Sequence, residues 1–372
     1  MKRTSALSTR IFYKLCCLVL FFVAAAASFN GFYDKWRFRE PGSPSGSAEA
    51  YFDGMIDGTA QRPFVYRQML PDIANWIAPR LPNRIKKKID SLSLPDQARH
   101  TQYLIVYLAV FAFALLAEYG VCNLCRSLGF SPAASVVTAV SFILLVPYLE
   151  SNGGYYYDYP EIAFLCIAAC LAATRAWWWL IPLTAVATWN KESFLLMVPT
   201  LYPFLRRRSG RAATLAQLGT LCAVSAAVYL WLRRRFASNS GGTVLPSLHH
   251  QIQFILEPSN WLVRTEKTYG IVMLATFNLF FGALLFWAVL RIRKEIPPVV
   301  KTNVAIAAIL NLPLYVLFCA PGEIRDLSML YIGLIAVLAA NAESWITGNS
   351  IGTRQYSSTS ETRDAVMSEQ AT

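Results

Sequence analysis

Charge is what this 372-residue chain has least of: Asp, Glu, Lys and Arg together make up 15% of it, against about a quarter in soluble domains. With 55% hydrophobic residues and a mean hydropathy of +0.39, that scarcity excludes a soluble globular domain. Only three histidines are present, and Cys122 and Cys125 form a C-x-x-C with no second pair or histidine nearby, so the donor set of a zinc site is missing. None of the eight cysteines lies in a long polar loop, and no disulfide framework is expected. No Gly-rich phosphate loop follows a strand pattern, which excludes ATP-driven chemistry within the chain. No repeat with a period of about 20 to 50 residues is visible either.

What is present is a series of apolar blocks of roughly 17 to 25 residues, the length that crosses about 30 Å of hydrocarbon. The expected fold is all-α, a polytopic transmembrane bundle of about ten spans. These fall near residues 12–30, 103–120, 132–149, 159–174, 176–189, 193–205, 213–232, 269–290, 303–319 and 327–342. Residues 1–342 then form one membrane domain, with 31–102 as a long first outer loop, and the Ser/Thr-rich stretch 343–372 reads as a disordered cytoplasmic tail. Residues 1–29 have the basic start and Ala-rich end of a signal peptide, yet their apolar stretch is near spanning length and is read as a retained helix.

The net charge of +12 sits in short basic runs at the ends of apolar blocks, such as Arg206 to Arg208 and Arg291, Arg293 and Lys294. That is the positive-inside pattern of a membrane protein, not a nucleic-acid footprint. It places both termini in the cytoplasm. Arg233 to Arg235 break the pattern; the basic first loop is long enough to escape it. The later part of that loop alternates apolar residues with Arg and Lys and reads as one or two short amphipathic helices on the membrane surface, and His249 to Leu262 has the same amphipathic character.

On this topology the polar groups gather on the outer side: Glu49, Asp53, Asp57 and Arg67, then Glu150, Asp158 and Glu161, then Asn190, Lys191 and Glu192, then Glu323, Arg325 and Asp326. Ionisable residues at membrane depth are costly unless they face a cavity or a partner. The sequence NKES interrupts an apolar stretch too short for two full crossings, so Lys191 and Glu192 are expected below the surface, lining a cavity or pairing with each other. Glu49, Asp53 and Asp57 follow i, i+4, i+8 spacing, which on a helix gathers three carboxylates suited to a base or a metal ligand. Arg67, after Pro63-Phe64-Val65-Tyr66, could clamp a phosphate. Arg325 and Asp326 read as a salt bridge or as part of the site, and Tyr155, Tyr156, Tyr157 and Tyr159 as an interfacial aromatic belt.

The acidic, amphipathic first outer loop, the stretch PFVYRQMLP, WNKES between short spans and GEIRD before the last span together resemble bacterial members of the GT-C superfamily. These are polytopic glycosyltransferases that use lipid-linked sugar donors. The resemblance implies an inner-membrane enzyme that moves a sugar from a polyprenyl-phosphate carrier to an acceptor on the extracytoplasmic face. It implies that a carboxylate of the first outer loop deprotonates the acceptor, which by position falls on Asp53, with Asp57 and Asp34 as alternatives. Arg67, Asp158, Lys191, Glu192 and Arg325 would surround the substrate. No cofactor is called for by the residues themselves; the resemblance leaves room for a divalent cation. The chain departs from the clearest family pattern, since its first loop holds no adjacent Asp-Asp or Asp-Glu pair. Two other classes stay open: a transporter or flippase for a lipid or small anion, with the break at Asn190 as its binding site, and a non-catalytic part of an envelope assembly machine.

Overall fold

A computed structural model describes residues 2–33, 35, 52–92, 99–150, 154–174, 176–242 and 248–348. Asp34, Glu49, the Gly/Ser/Pro stretch 41–47 and residues 349–372 lie outside the described residues. The described chain is mostly helical, with a single two-stranded hairpin among the described residues. In order it runs α1 (Lys2–Tyr33), α2 (Phe52–Ile56), α3 (Met69–Ile77), α4 (Asn83–Asp90), α5 (His100–Ser127), α6 (Pro132–Leu149), α7 (Asp158–Ala172) and α8 (Leu180–Asn190). It continues as α9 (Phe194–Met197), α10 (Tyr202–Arg206), α11 (Arg211–Arg235), α12 (Leu248–Leu256), α13 (Pro258–Leu262), α14 (Leu279–Ile292), α15 (Pro298–Phe318) and α16 (Tyr331–Thr347).

Among the described residues, six helical segments are long and apolar enough to cross a membrane: Lys14–Tyr33, His100–Ser127, Pro132–Leu149, Arg211–Arg235, Pro298–Phe318 and Ile324–Thr347. Their outward faces are apolar too, with Val19, Phe22, Leu215 and Ile309 all exposed, a pattern that suits hydrocarbon and not water. The other four expected spans are shorter. At 1.5 Å per residue, α7 with 15 residues, α8 with 11 and α14 with 14 reach only roughly 16 to 23 Å, and the stretch 194–206 is interrupted by a 3-10 turn at Val198–Leu201. The first half of the expected span 269–290 is not helical. It belongs to a two-stranded antiparallel hairpin, β1 (Thr265–Thr268) and β2 (Ile271–Leu274), turning through Tyr269 and Gly270 at positive φ. The β-branched pair Ile271 and Val272 favours the extended strand.

α7 is the axis of the bundle, with twelve of its fifteen residues buried. It packs along α5, which also lies against α6; α6 touches α1 and α16, and α8 touches α7 and α11. Ser131 caps α6, its side chain accepting from the Ala134 N–H, ahead of Pro132 in the first turn. Glu343 in turn accepts from the N–H and hydroxyl of Ser131 at 2.9 and 2.5 Å. This tie holds the end of α16, which continues to Thr347, past the boundary expected at residue 342.

Short helices α3 and α4 occupy the later part of the first loop, and α12 and α13 the stretch expected to be amphipathic. Asp72 of α3 takes two bonds from Arg235, at 2.7 and 2.9 Å, and one from the Trp189 indole at 3.2 Å. The basic end of α11 thus has a partner in the first loop.

Candidate functional site

The ends of α6 and α8, the starts of α7 and α9 and the 3-10 turn Ile324–Leu330 meet at one end of the bundle. There the structure gathers three cations, Arg67, Lys191 and Arg325, with six carboxyls: Glu150, Asp158, Glu161, Glu192, Glu323 and Asp326.

Asp158 and Glu161 occupy the first turn of α7, where the positive helix end favours them. Asp158 Oδ2 accepts from the Tyr155 N–H at 2.7 Å, closing the turn that leads into the helix. Glu161 accepts from Lys191 Nζ at 2.6 Å and from Ser328 Oγ at 2.9 Å. The helix is broken between α8 and α9: Lys191 takes an extended conformation, φ −154° and ψ 123°, and Asn190 Nδ2 donates to the Tyr157 carbonyl at 2.9 Å. The break turns Lys191, 7% exposed, toward α7 and sends Glu192 the other way, to Arg67. Nε and Nη2 of Arg67 donate to the two oxygens of Glu192 at 3.3 and 3.1 Å, and Nη1 donates to the Tyr157 hydroxyl. Burial works against the Arg67 charge, but the Glu192 carboxylate overrides it and holds the guanidinium well above its ordinary range.

Arg325 donates through Nε and Nη2 to Glu323 at 3.0 and 2.6 Å and through Nη1 to Asp158 at 3.3 Å. Its Nε lies 4.0 Å from Glu150 Oε2. Glu150, 1% exposed, is pushed well above the ordinary carboxylate range by burial first and by neighbouring Asp158 second, with Arg325 and Lys191 opposing.

The four tyrosines correct the aromatic-belt expectation. Tyr155, Tyr156, Tyr157 and Tyr159 are all buried, and the first three organise the cations. Arg325 lies over the Tyr155 ring at 4.3 Å, Arg67 over Tyr157 at 4.5 Å and Lys191 beside Tyr157 at 5.5 Å. Tyr156 donates its hydroxyl to the Arg67 carbonyl at 2.8 Å.

Of the residues predicted from sequence, Arg67, Asp158, Lys191, Glu192 and Arg325 come together here. Lys191 and Glu192 do not pair with each other, and Arg325 binds Glu323 and Asp158. Asp57 sits at the surface, paired with Arg99 at 2.5 Å. Asp53 lies on α2, a helix tied to the Arg67 segment by the bond from Gln68 Nε2 to the Met55 carbonyl at 3.1 Å. Glu150, Glu161 and the tyrosine run were not singled out as site residues. Their signal was present: each acid flanks an apolar helix at a depth where a lone charge is costly. Among the described residues no group of three or more His, Cys, Asp or Glu is arranged to hold a metal ion.

An apolar cavity of about 430 Å³ runs between α14, α15 and α16. Leu149, Ile324 and Leu327 line it, and their chain neighbours Glu150, Arg325 and Asp326 belong to the charged cluster. Tyr331, also in its wall, is close enough to Glu150 to feel its charge. No protein-family model, curated protein or solved structure matches this chain.

Proposed function

We propose that this chain is a membrane glycosyltransferase that takes a polyprenyl-phosphate-linked sugar and moves the sugar to an acceptor on the extracytoplasmic face of a bacterial inner membrane. The observation that supports the reading is the gathering of three cations, Arg67, Lys191 and Arg325, at one end of the bundle, one residue along the chain in the case of Arg325 from Ile324 in the wall of the apolar cavity. A ligand with a long hydrocarbon tail and a phosphate head suits both the cations and the cavity. In this reading the chain passes the bilayer about ten times, the four short helical stretches entering it part-way, with both termini cytoplasmic.

Arg325, with Arg67 and Lys191 behind it, neutralises the charge that builds on the phosphate as the sugar leaves. Asp53 takes the acceptor proton, from α2 beside the Arg67 segment. The bond from the acceptor oxygen to the anomeric carbon forms as the bond to the phosphate oxygen breaks, and the electron pair stays on the phosphate.

The test is mass spectrometry of envelope glycans from cells lacking this gene, rescued by the native chain, Asp53→Asn or Arg325→Gln at matched expression. Loss of one sugar, restored by the native chain alone, is expected. Full restoration by Asp53→Asn removes Asp53 as the base, and unchanged glycans on deletion remove the transferase reading. The broken α8–α9 segment also supports a flippase for the same lipid phosphate. Translocation of a fluorescent polyprenyl phosphate across proteoliposomes, with glycans unchanged, would decide for it.

A further inference from the structure

A second cavity, of about 470 Å³, lies at the end of the bundle opposite the charged cluster. Near the cluster, Asn311 of α15 donates through Nδ2 to the Asp326 carbonyl at 2.8 Å. At 1.5 Å per residue, α15 leads about 20 Å from there back to Pro298, which lines this cavity. α7 runs the same way, from the cluster to Ala173, whose carbonyl accepts from Arg208 Nε at 3.1 Å.

The cavity sits at the level where two spans emerge. Leu128 in its wall follows the last residue of His100–Ser127, and Pro298 opens Pro298–Phe318. Its volume falls among those of small-molecule sites, about 300–1,000 Å³, and three prolines stiffen the wall. Leu128 and Val299 give it apolar surface, while Tyr202, Arg206, Arg207 and Thr302 give it polar groups. No Asp or Glu is among the described residues that line it.

The two arginines are not neutralised. In the charged cluster each cation donates to a carboxylate. Here Arg206 Nη1 reaches only the Ser209 carbonyl, at 2.8 Å, and the Arg207 side chain has no hydrogen-bond or carboxylate partner among the described residues. A guanidinium matches the oxygens of a phosphate with two parallel N–H bonds, and cations at headgroup level attract anionic lipids. A zwitterionic head brings a cation of its own, which the two arginines repel and no carboxylate in the wall would hold. The apolar half of the wall suits the glycerol and first methylenes of a lipid, which a free phosphate lacks.

We propose that this cavity binds the head of an anionic phospholipid, its phosphodiester on Arg206 and Arg207 and its glycerol backbone against Leu128 and Val299. In the topology proposed above this is the cytoplasmic face, and the occupant is a resident lipid, distinct from the substrate at the charged cluster.

The test is native mass spectrometry of the full chain released from detergent micelles. It is titrated with dioleoyl phosphatidylglycerol, with dioleoyl phosphatidylcholine and with glycerophosphoglycerol, the anionic head without its chains. One phosphatidylglycerol is expected to bind roughly thirtyfold more tightly than phosphatidylcholine, from about fivefold for each arginine. Arg206→Gln with Arg207→Gln should abolish that preference. Thr302→Trp, which fills the cavity from an exposed helix position at unchanged charge, should abolish it too. Arg291→Gln with Arg293→Gln, an equally basic and exposed pair outside the cavity, should keep it. Absence of preference in the native chain overturns the proposal with no variant needed. Equal loss from the Arg291 and Arg293 pair, or full preference in Thr302→Trp, reduces the attraction to surface charge and overturns the site. Glycerophosphoglycerol binding as tightly as the lipid makes the ligand a soluble phosphodiester and overturns the lipid. Each of these outcomes leaves the polyprenyl-phosphate reading where it stood, since no residue changed here belongs to the charged cluster.

Discussion

Replacing Lys191 by Met keeps the length of the side chain and removes its charge. Lys191 Nζ lies 2.6 Å from Glu161 and 3.8 Å from Asp158, and at an effective dielectric of about 20 these attractions are roughly 6 and 4 kcal/mol before desolvation is subtracted. The cost of burying the ammonium offsets much of that. What dominates the variant is the carboxyls left behind, and breaking a buried pair by removing one partner costs about 3–5 kcal/mol. Against a total stability of about 5–15 kcal/mol, Lys191→Met should be the most damaging single change at this end of the bundle. The assay is reversible unfolding in mixed micelles by titration with SDS, followed by tryptophan fluorescence. Lys191→Met combined with Glu161→Gln should recover at least half of the loss, because the pair is then neutral and Ser328 still bonds residue 161. If the single variant loses less than about 1 kcal/mol, or the double variant is no better than the single, the charge-compensation argument fails.

Glu150 binds a proton in the folded chain that the unfolded chain gives up, so stability should fall as pH rises from the ordinary carboxylate range toward its raised value; Glu150→Gln should flatten that slope in the same unfolding assay measured across pH. A Cβ on Gly333 would lie 2.6 Å from Val304 Cγ2, and the β-branched valine turns aside poorly, so Gly333→Ala should cost about 1–3 kcal/mol and Val304→Ala should restore most of it. Glu118, in the middle of α5, is fully buried, with neither carboxyl oxygen hydrogen-bonded among the described residues; Glu118→Met should stabilise by about 1–3 kcal/mol. The Asp57 and Arg99 side chains are 41% and 38% exposed, so Asp57→Asn should shift stability by less than about 1 kcal/mol, and a fall in glycan rescue at unchanged stability would give Asp57 the base role.

Apolar length made the helical class legible, because a block of some twenty hydrophobic residues has few other solutions. It did not reveal where a block stops being helix, as at Ile271–Leu274, since periodicity cannot separate a short apolar strand from a helix. The depth of Lys191 was legible from the brevity of its flanking segments; its partner was not. Lys191 and Glu192 are adjacent in the chain, yet an extended residue between two helices points successive side chains in opposite directions. The partners of Lys191 come instead from α7, thirty residues earlier in the case of Glu161. Tyr155 to Tyr157 looked interfacial because tyrosine next to a span usually is, and only the fold brings Arg67 and Arg325 onto those rings.

Those three tyrosines sit on consecutive residues and steady the cationic groups from one stretch of backbone: Tyr155 under Arg325, Tyr157 under Arg67 and beside Lys191, Tyr156 on the Arg67 carbonyl. They act as a jig, setting the spacing between side chains that arrive from three distant parts of the chain. Exchanging one ring loosens one clamp. Inserting or deleting a single residue in this run puts every clamp out of step at once, so the length of the segment is held more tightly than the identity of any residue in it.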